Sequence, residues 1–247
     1  MAECKRCNKK GFFLRVNNDV LCDNCLEFLL KSACPYCGSM LEKIPKRKSP
    51  CPNCNNIIFV RDKKMVTERK AMMLDFIKNS EFYGAYENEY LRIEDELKKK
   101  FGFDPNPRDI NWSYYNKLIV KNSSNYQNLS SIYYSMALML NKEKKEFFNL
   151  LQQSKKMELL EYKRNGFIKK VKISTSGKDN ACDNCLKQEN KTYTINTALE
   201  KMPIPNKDCT HVLYDEDRGF CRCCYITEVI GIEDVANKYI NSMTNFK

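Results

Sequence analysis

The chain has 247 residues with 14 cysteines, one histidine, one tryptophan and a formal net charge of +11. At 43% hydrophobic and 30% charged it has the make-up of a globular protein of one large or two to three small domains, too apolar for a disordered chain. The single His211 excludes every mechanism that needs two histidines, HExxH proteolysis among them. No run of 18 apolar residues occurs and the chain opens on the polar MAECKRC, so a cytoplasmic protein without a membrane span or signal peptide is expected. In a reducing compartment, abundant thiols point to metal rather than to disulfides.

Eight cysteines lie in residues 1–60, none in 61–181 and six in 182–224. The expected organisation is a tandem zinc-finger region at 1–64, a helical domain at 65–165 and a C-terminal Cys-rich zinc-binding module at 166–247. The fold class that follows is α+β.

The first region holds four CxxC pairs, Cys4/Cys7, Cys22/Cys25, Cys34/Cys37 and Cys51/Cys54, with 14 residues inside the first set of four and 13 inside the second. A CxxC turn lets two thiolates converge on one ion, and two such turns complete a tetrahedral site. A thioredoxin-like dithiol needs one CxxC at a βαβ helix start rather than four in succession. Iron–sulfur clusters also use four thiolates, but the hairpin-like segments between the pairs favour two Zn2+ ions. Spacing leaves sequential and cross-braced pairing both open. In the first module Gly11–Val16 and Asp19–Leu21 can pair as a hairpin, and Leu26–Leu30 reads as a short helix after the second pair. That order resembles a treble clef. The second module, closing on Ile57–Arg61, looks like a zinc ribbon.

The middle is helical by periodicity. Thr67 is a candidate N-cap, and Tyr86, Tyr90, Ile93, Leu97 and Phe101 recur at helical spacing. Asn106-Pro107 starts a further helix with Trp112, Tyr115, Leu118 and Ile119 on its buried side. Leu129, Ile132, Tyr133, Met136, Ala137 and Leu140 form the cleanest stripe, followed by a helix over 143–163 carrying Phe147, Leu150, Leu151 and Leu160. Short connections favour antiparallel neighbours and a bundle.

A strand over Phe167–Ile173 leads into the last cluster: Cys182-x-x-Cys185, Cys209-Thr-His211 and Cys221-Arg-Cys223-Cys224. A third Zn2+ is expected on Cys182, Cys185, Cys209 and Cys221. Cys182/Cys185/Cys221/Cys224 is an alternative, as is His211 in place of Cys209, and Cys223 reads as a small buried apolar residue.

Nothing comparable marks a catalytic site. Pro50-Cys51-Pro-Asn-Cys54 matches half of the nucleobase-deaminase signature, but no H-x-E accompanies it. Neither a P-loop nor a dinucleotide fingerprint is present, and the carboxylate groups Asp95/Glu96, Asp104/Asp109 and Asp215–Asp217 fit caps and solvated faces. No small-molecule substrate is evident. The basic stretch Lys46-Arg47-Lys48, extended by Arg61, can contact phosphates, with Tyr36 and Phe59 nearby as stacking candidates. Charge alone argues less for nucleic acid than it first suggests. Residues 1–64 carry 13 Lys and Arg against 6 Asp and Glu, a balance of +7. Each Cys4–zinc site contributes about −2, so two filled sites leave about +3.

The segment Cys34-Pro-Tyr-Cys37-Gly, Pro45-Lys-Arg-Lys48, Cys51-Pro-Asn-Cys54, Val60-Arg61 and Thr67-Glu68 resembles uncharacterised bacterial and phage zinc-ribbon proteins, a likeness that implies no particular activity. The tail, Cys182-x-x-Cys185, Tyr193, Ala198-Leu199, Pro203-Ile-Pro205 and Cys221-Arg-Cys223, is similar to the Cys-rich end of phage head-morphogenesis (minor capsid) proteins. It departs from them in placing Cys209-Thr-His211 after the proline pair and ten residues before Cys221. The expectation is a zinc-binding, non-enzymatic adaptor whose fingers contact nucleic acid or a protein partner. The tail resemblance adds a phage assembly role as an alternative, and an enzyme with an unrecognised site is a second.

Overall fold

The computed structural model describes residues 2–11, 15, 21–25, 32–166, 168–177, 181–213 and 219–228. Most of the expected first-module hairpin, the Leu26–Leu30 helix, Phe167 and the acidic loop Asp215–Asp217 lie outside them. The fold mixes helices with small antiparallel sheets and is α+β. No helix among the described residues is long and apolar enough to cross a membrane. The chain forms two compact units, residues 1–81 with 85–110, and 82–84 with 111–247.

In the first unit β1 (Ala2–Glu3) pairs with β2 (Lys10–Gly11). A second sheet orders β3 (Ser49–Pro50), β4 (Ile57–Arg61) and β5 (Lys64–Val66) side by side. Asp62 and Lys63 turn the β4–β5 hairpin in left-handed conformations, φ 48° and 62°, which matches the twist of the strands they join. The helix α1 (Glu68–Ser80) starts at Thr67, whose side chain accepts from the Lys70 N–H. It packs on β4, where Asp75 takes the Arg61 guanidinium in a two-point pair, 2.6 Å at each contact. In α2 (Glu87–Phe101) only the middle of the expected stripe is interior: Tyr90 and Ile93 are buried, whereas Tyr86 and Phe101 are exposed. The Tyr90 ring lies 5.7 Å from that of Phe76 on α1.

The division between the units falls within α3 (Pro107–Lys121), where Tyr114, Tyr115 and Leu118 are buried and Trp112 and Ile119 only partly so. In α4 (Tyr126–Lys142) Leu129, Ile132, Met136 and Ala137 are buried, which is the core of the expected stripe. The next helix, α5 (Phe148–Arg164), begins five residues later than its periodicity predicts. Lys144 adopts φ 56° and the Lys145 N–H bonds back to Leu140, so 143–147 is spent on the turn that folds α5 against α4. Next comes a sheet with β6 (Lys170–Ser174) between β7 (Thr192–Thr194) and β8 (Cys224–Glu228), and the short helices α6 (Asp183–Leu186) and α7 (Ile195–Lys201). Leu151 and Leu159 of α5 share one core with Val171, Ile173, Ile204 and Phe220. The Phe220 ring stacks on Phe147 at 5.1 Å.

Candidate metal centres

All 14 cysteines are free thiols. Thirteen of them fall into clusters that can hold metal ions, and in the first region the clusters are sequential: Cys4, Cys7, Cys22 and Cys25 form one, Cys34, Cys37, Cys51 and Cys54 the other. Within each, all four sulfurs lie within 4.8 Å of one another. Four thiolates at about 2.3 Å from a tetrahedral ion stand about 3.8 Å apart. The observed separations match that edge: 3.8 Å for Cys7–Cys22 and 3.9 Å for both Cys34–Cys54 and Cys37–Cys51. They are far longer than the roughly 2.05 Å of a disulfide.

Three of these four CxxC turns share one backbone design. The N–H of the residue after the second cysteine bonds to the first cysteine's carbonyl: Asn8 to Cys4, Gly38 to Cys34 and Asn55 to Cys51, each at 2.9 Å. The first cysteine's own N–H is taken by the next carbonyl along, Lys9, Ser39 or Asn56. This requires a left-handed residue after the second cysteine, met by Asn8 at φ 55°, Gly38 at 72° and Asn55 at 60°. The turn aims its inner N–H groups at sulfur. Hydrogen bonds from the Cys22 and Cys7 N–H groups hold the Cys4 thiol down at about 6, and those of Cys54 and Asn53 do the same for Cys51. At Cys34 burial outweighs the Cys37 and Tyr36 N–H groups and raises the thiol to about 11.

The fourth pair is built differently. Residues 23–25 are helical, and the Cys22 N–H points at the Cys4 sulfur from 3.3 Å. Cys182 and Cys185 repeat this arrangement, with Cys182 at the N-cap of α6 and Cys185 inside it. Cys185 is followed by Leu186, which disfavours the left-handed conformation and lets that turn run on as helix. The residue after CxxC was therefore a signal in the sequence that spacing alone did not use.

The C-terminal thiols form two triplets that share Cys185: Cys182, Cys185 and Cys209, and Cys185, Cys221 and Cys223. Cys182 and Cys209 are 3.8 Å apart, Cys185 and Cys221 3.9 Å. Asn206 ties the cluster together, its N–H on the Cys221 sulfur at 3.2 Å and its amide on the Asn184 carbonyl at 3.0 Å. The Cys221 thiol is pushed down by hydrogen bonds from the Cys209 and Cys223 thiols, which are raised in return. Gly219 passes so close to Cys209 that a Cβ there would stand 1.6 Å from its carbonyl oxygen. Cys223, given no ligand role by spacing, sits in the cluster because burial alternates in the segment just before β8, with Cys221 and Cys223 buried and Arg222 exposed. Cys224 is exposed and belongs to neither triplet. His211 also lies outside both, its Nε2 buried without a hydrogen-bond partner among the described residues.

Lys46, Arg47 and Lys48 are exposed, and the Lys48 ammonium stands 4.7 Å over the Phe59 ring. Arg61 is held by Asp75 and by the Val60 carbonyl, with its guanidinium 5.9 Å from the same ring. Tyr36 serves the helix behind it, its hydroxyl accepting the Glu68 N–H at 2.8 Å. No protein-family model, no curated protein and no solved structure matches the chain.

Proposed function

We propose that the protein is a zinc-binding adaptor in which three thiolate sites make small modules rigid and the second module contacts nucleic acid through Lys46, Arg47 and Lys48. All-thiolate ligands at tetrahedral spacing suit Zn2+, and four of them close the shell, so the ions act structurally rather than as Lewis acids. The first module reads as a treble clef, and the second, with a knuckle on each side of the basic loop, as a zinc ribbon. The observation behind the nucleic-acid reading is the placement of these cations. Three consecutive exposed cations end just before β3, whose Pro50 precedes the ligand Cys51, so the ion fixes the base of the loop. Arg61 contributes less, because Asp75 already occupies its fork.

The test measures binding to duplex and single-stranded nucleic acid across salt concentrations. Each phosphate contact on duplex adds about −0.9 to the slope of log K against log salt. Replacing Lys46, Arg47 and Lys48 by alanine is expected to flatten that slope by about 2 to 3. Binding with an unchanged slope in that triple variant, or no binding by the zinc-loaded protein, overturns the proposal.

A further inference from the structure

We propose that Cys223 is a reserve ligand of the C-terminal metal site: Cys182, Cys185, Cys209 and Cys221 hold the ion, and Cys223 completes the shell when Cys182 is lost. This rests on the zinc reading of the same cluster. A tetrahedral ion takes four thiolates, and five sulfurs meet here. Two separations of tetrahedral length, 3.8 Å for Cys182–Cys209 and 3.9 Å for Cys185–Cys221, use four different sulfurs, and Cys223 is the fifth, in a triplet that meets the Cys182 triplet at Cys185.

Cys223 is not a bystander. From Cys221 on into β8, Cys221, Cys223 and Tyr225 are buried while Arg222, Cys224 and Ile226 are exposed, so the two-residue period places Cys223 on the same interior side as Cys221. Its sulfur lies within 4.8 Å of both Cys185 and Cys221, about 1 Å at most beyond a ligand edge. Among the five, Cys182 is the one open to solvent: it is half-buried, whereas the other four are at most 8% exposed. The accessible ligand is therefore backed by a buried one. In the exchange the metal–sulfur bond to Cys182 breaks, the Cys223 thiol gives its proton to solvent, and its sulfur bonds the ion. Each N-terminal site has four thiols and, among the described residues, no fifth.

Zinc per chain, measured on the full-length protein, tests this. The wild type is expected to hold three ions, Cys223→Ala three, Cys182→Ala three, and the double variant two. Cys37→Ala, at a site without a reserve, is expected to hold two. Cobalt-loaded Cys182→Ala should keep the thiolate-to-metal charge-transfer intensity of a four-thiolate site. Two ions in Cys182→Ala, three in the double variant, or two in Cys223→Ala overturns the proposal, the last by making Cys223 a primary ligand. Fewer than three ions in the wild type overturns the zinc reading itself.

Discussion

Removing the ions should unfold the fingers while leaving the helical part of the second unit folded, because the two differ in what else holds them. In the second module the buried apolar side chains besides thiols are Leu41 and Ile58, with Met65 and Cys54 packed at the edge. Burying two such side chains yields about 3 to 6 kcal/mol. Fixing one residue's backbone costs about 1 to 2 kcal/mol, so that core offsets the ordering of only a handful of residues. A structural zinc contributes about 10 to 16 kcal/mol and has to supply the remainder. The first module is poorer still, with only Leu21 packed against its thiols among the described residues. The second unit instead has a continuous core through Leu151, Leu159, Val171, Ile173, Ile204 and Phe220. The assay is stepwise chelation followed by amide hydrogen exchange, with released zinc counted in parallel. Protection of the Phe59–Val66 and Arg61–Lys64 pairs in β4 and β5 should collapse as the ions leave, while that of α4 and α5 persists. Full protection of β4 and β5 after complete metal removal would refute the reasoning.

Two substitutions probe the backbone that positions the thiols. Gly219→Ala forces a Cβ into the Cys209 carbonyl and should cost the C-terminal site its ion while the two N-terminal ions stay, read as a fall from three zincs to two; three zincs in that variant would contradict the close approach. Asn55, left-handed at φ 60°, should tolerate Gly but not Val, which loses about 1 to 2 kcal/mol there and weakens zinc at the second site in a competition titration.

Much of the candidate site was legible in the sequence because thiol ligands announce themselves. A CxxC pair brings its two sulfurs together through local turn geometry, so Cys4/Cys7, Cys34/Cys37 and Cys51/Cys54 could be matched to one another without knowing the fold. The α4 stripe was legible for the same reason: its period is local, and Leu129, Ile132, Met136 and Ala137 are buried in one face. The α5 start was not, because the turn at Lys144 takes up residues whose pattern reads as helix.

Tertiary structure decided what joins what. The sequential grouping of the first eight thiols depends on which turns approach each other, which spacing leaves open. The meeting of Cys209, Cys221 and Cys223 with Cys185 depends on a loop, the segment leading into β8 and a short helix closing over one core. The fate of Arg61 turned on the same kind of information: its charge was visible from the start, but Asp75 lies 14 residues away and reaches it only because α1 packs on β4. The high cysteine count and basic balance of the chain indicate thiolate sites and a charged loop. Which thiols cluster together and which cation is taken by a carboxylate were set by long-range contacts, and those carry no local pattern.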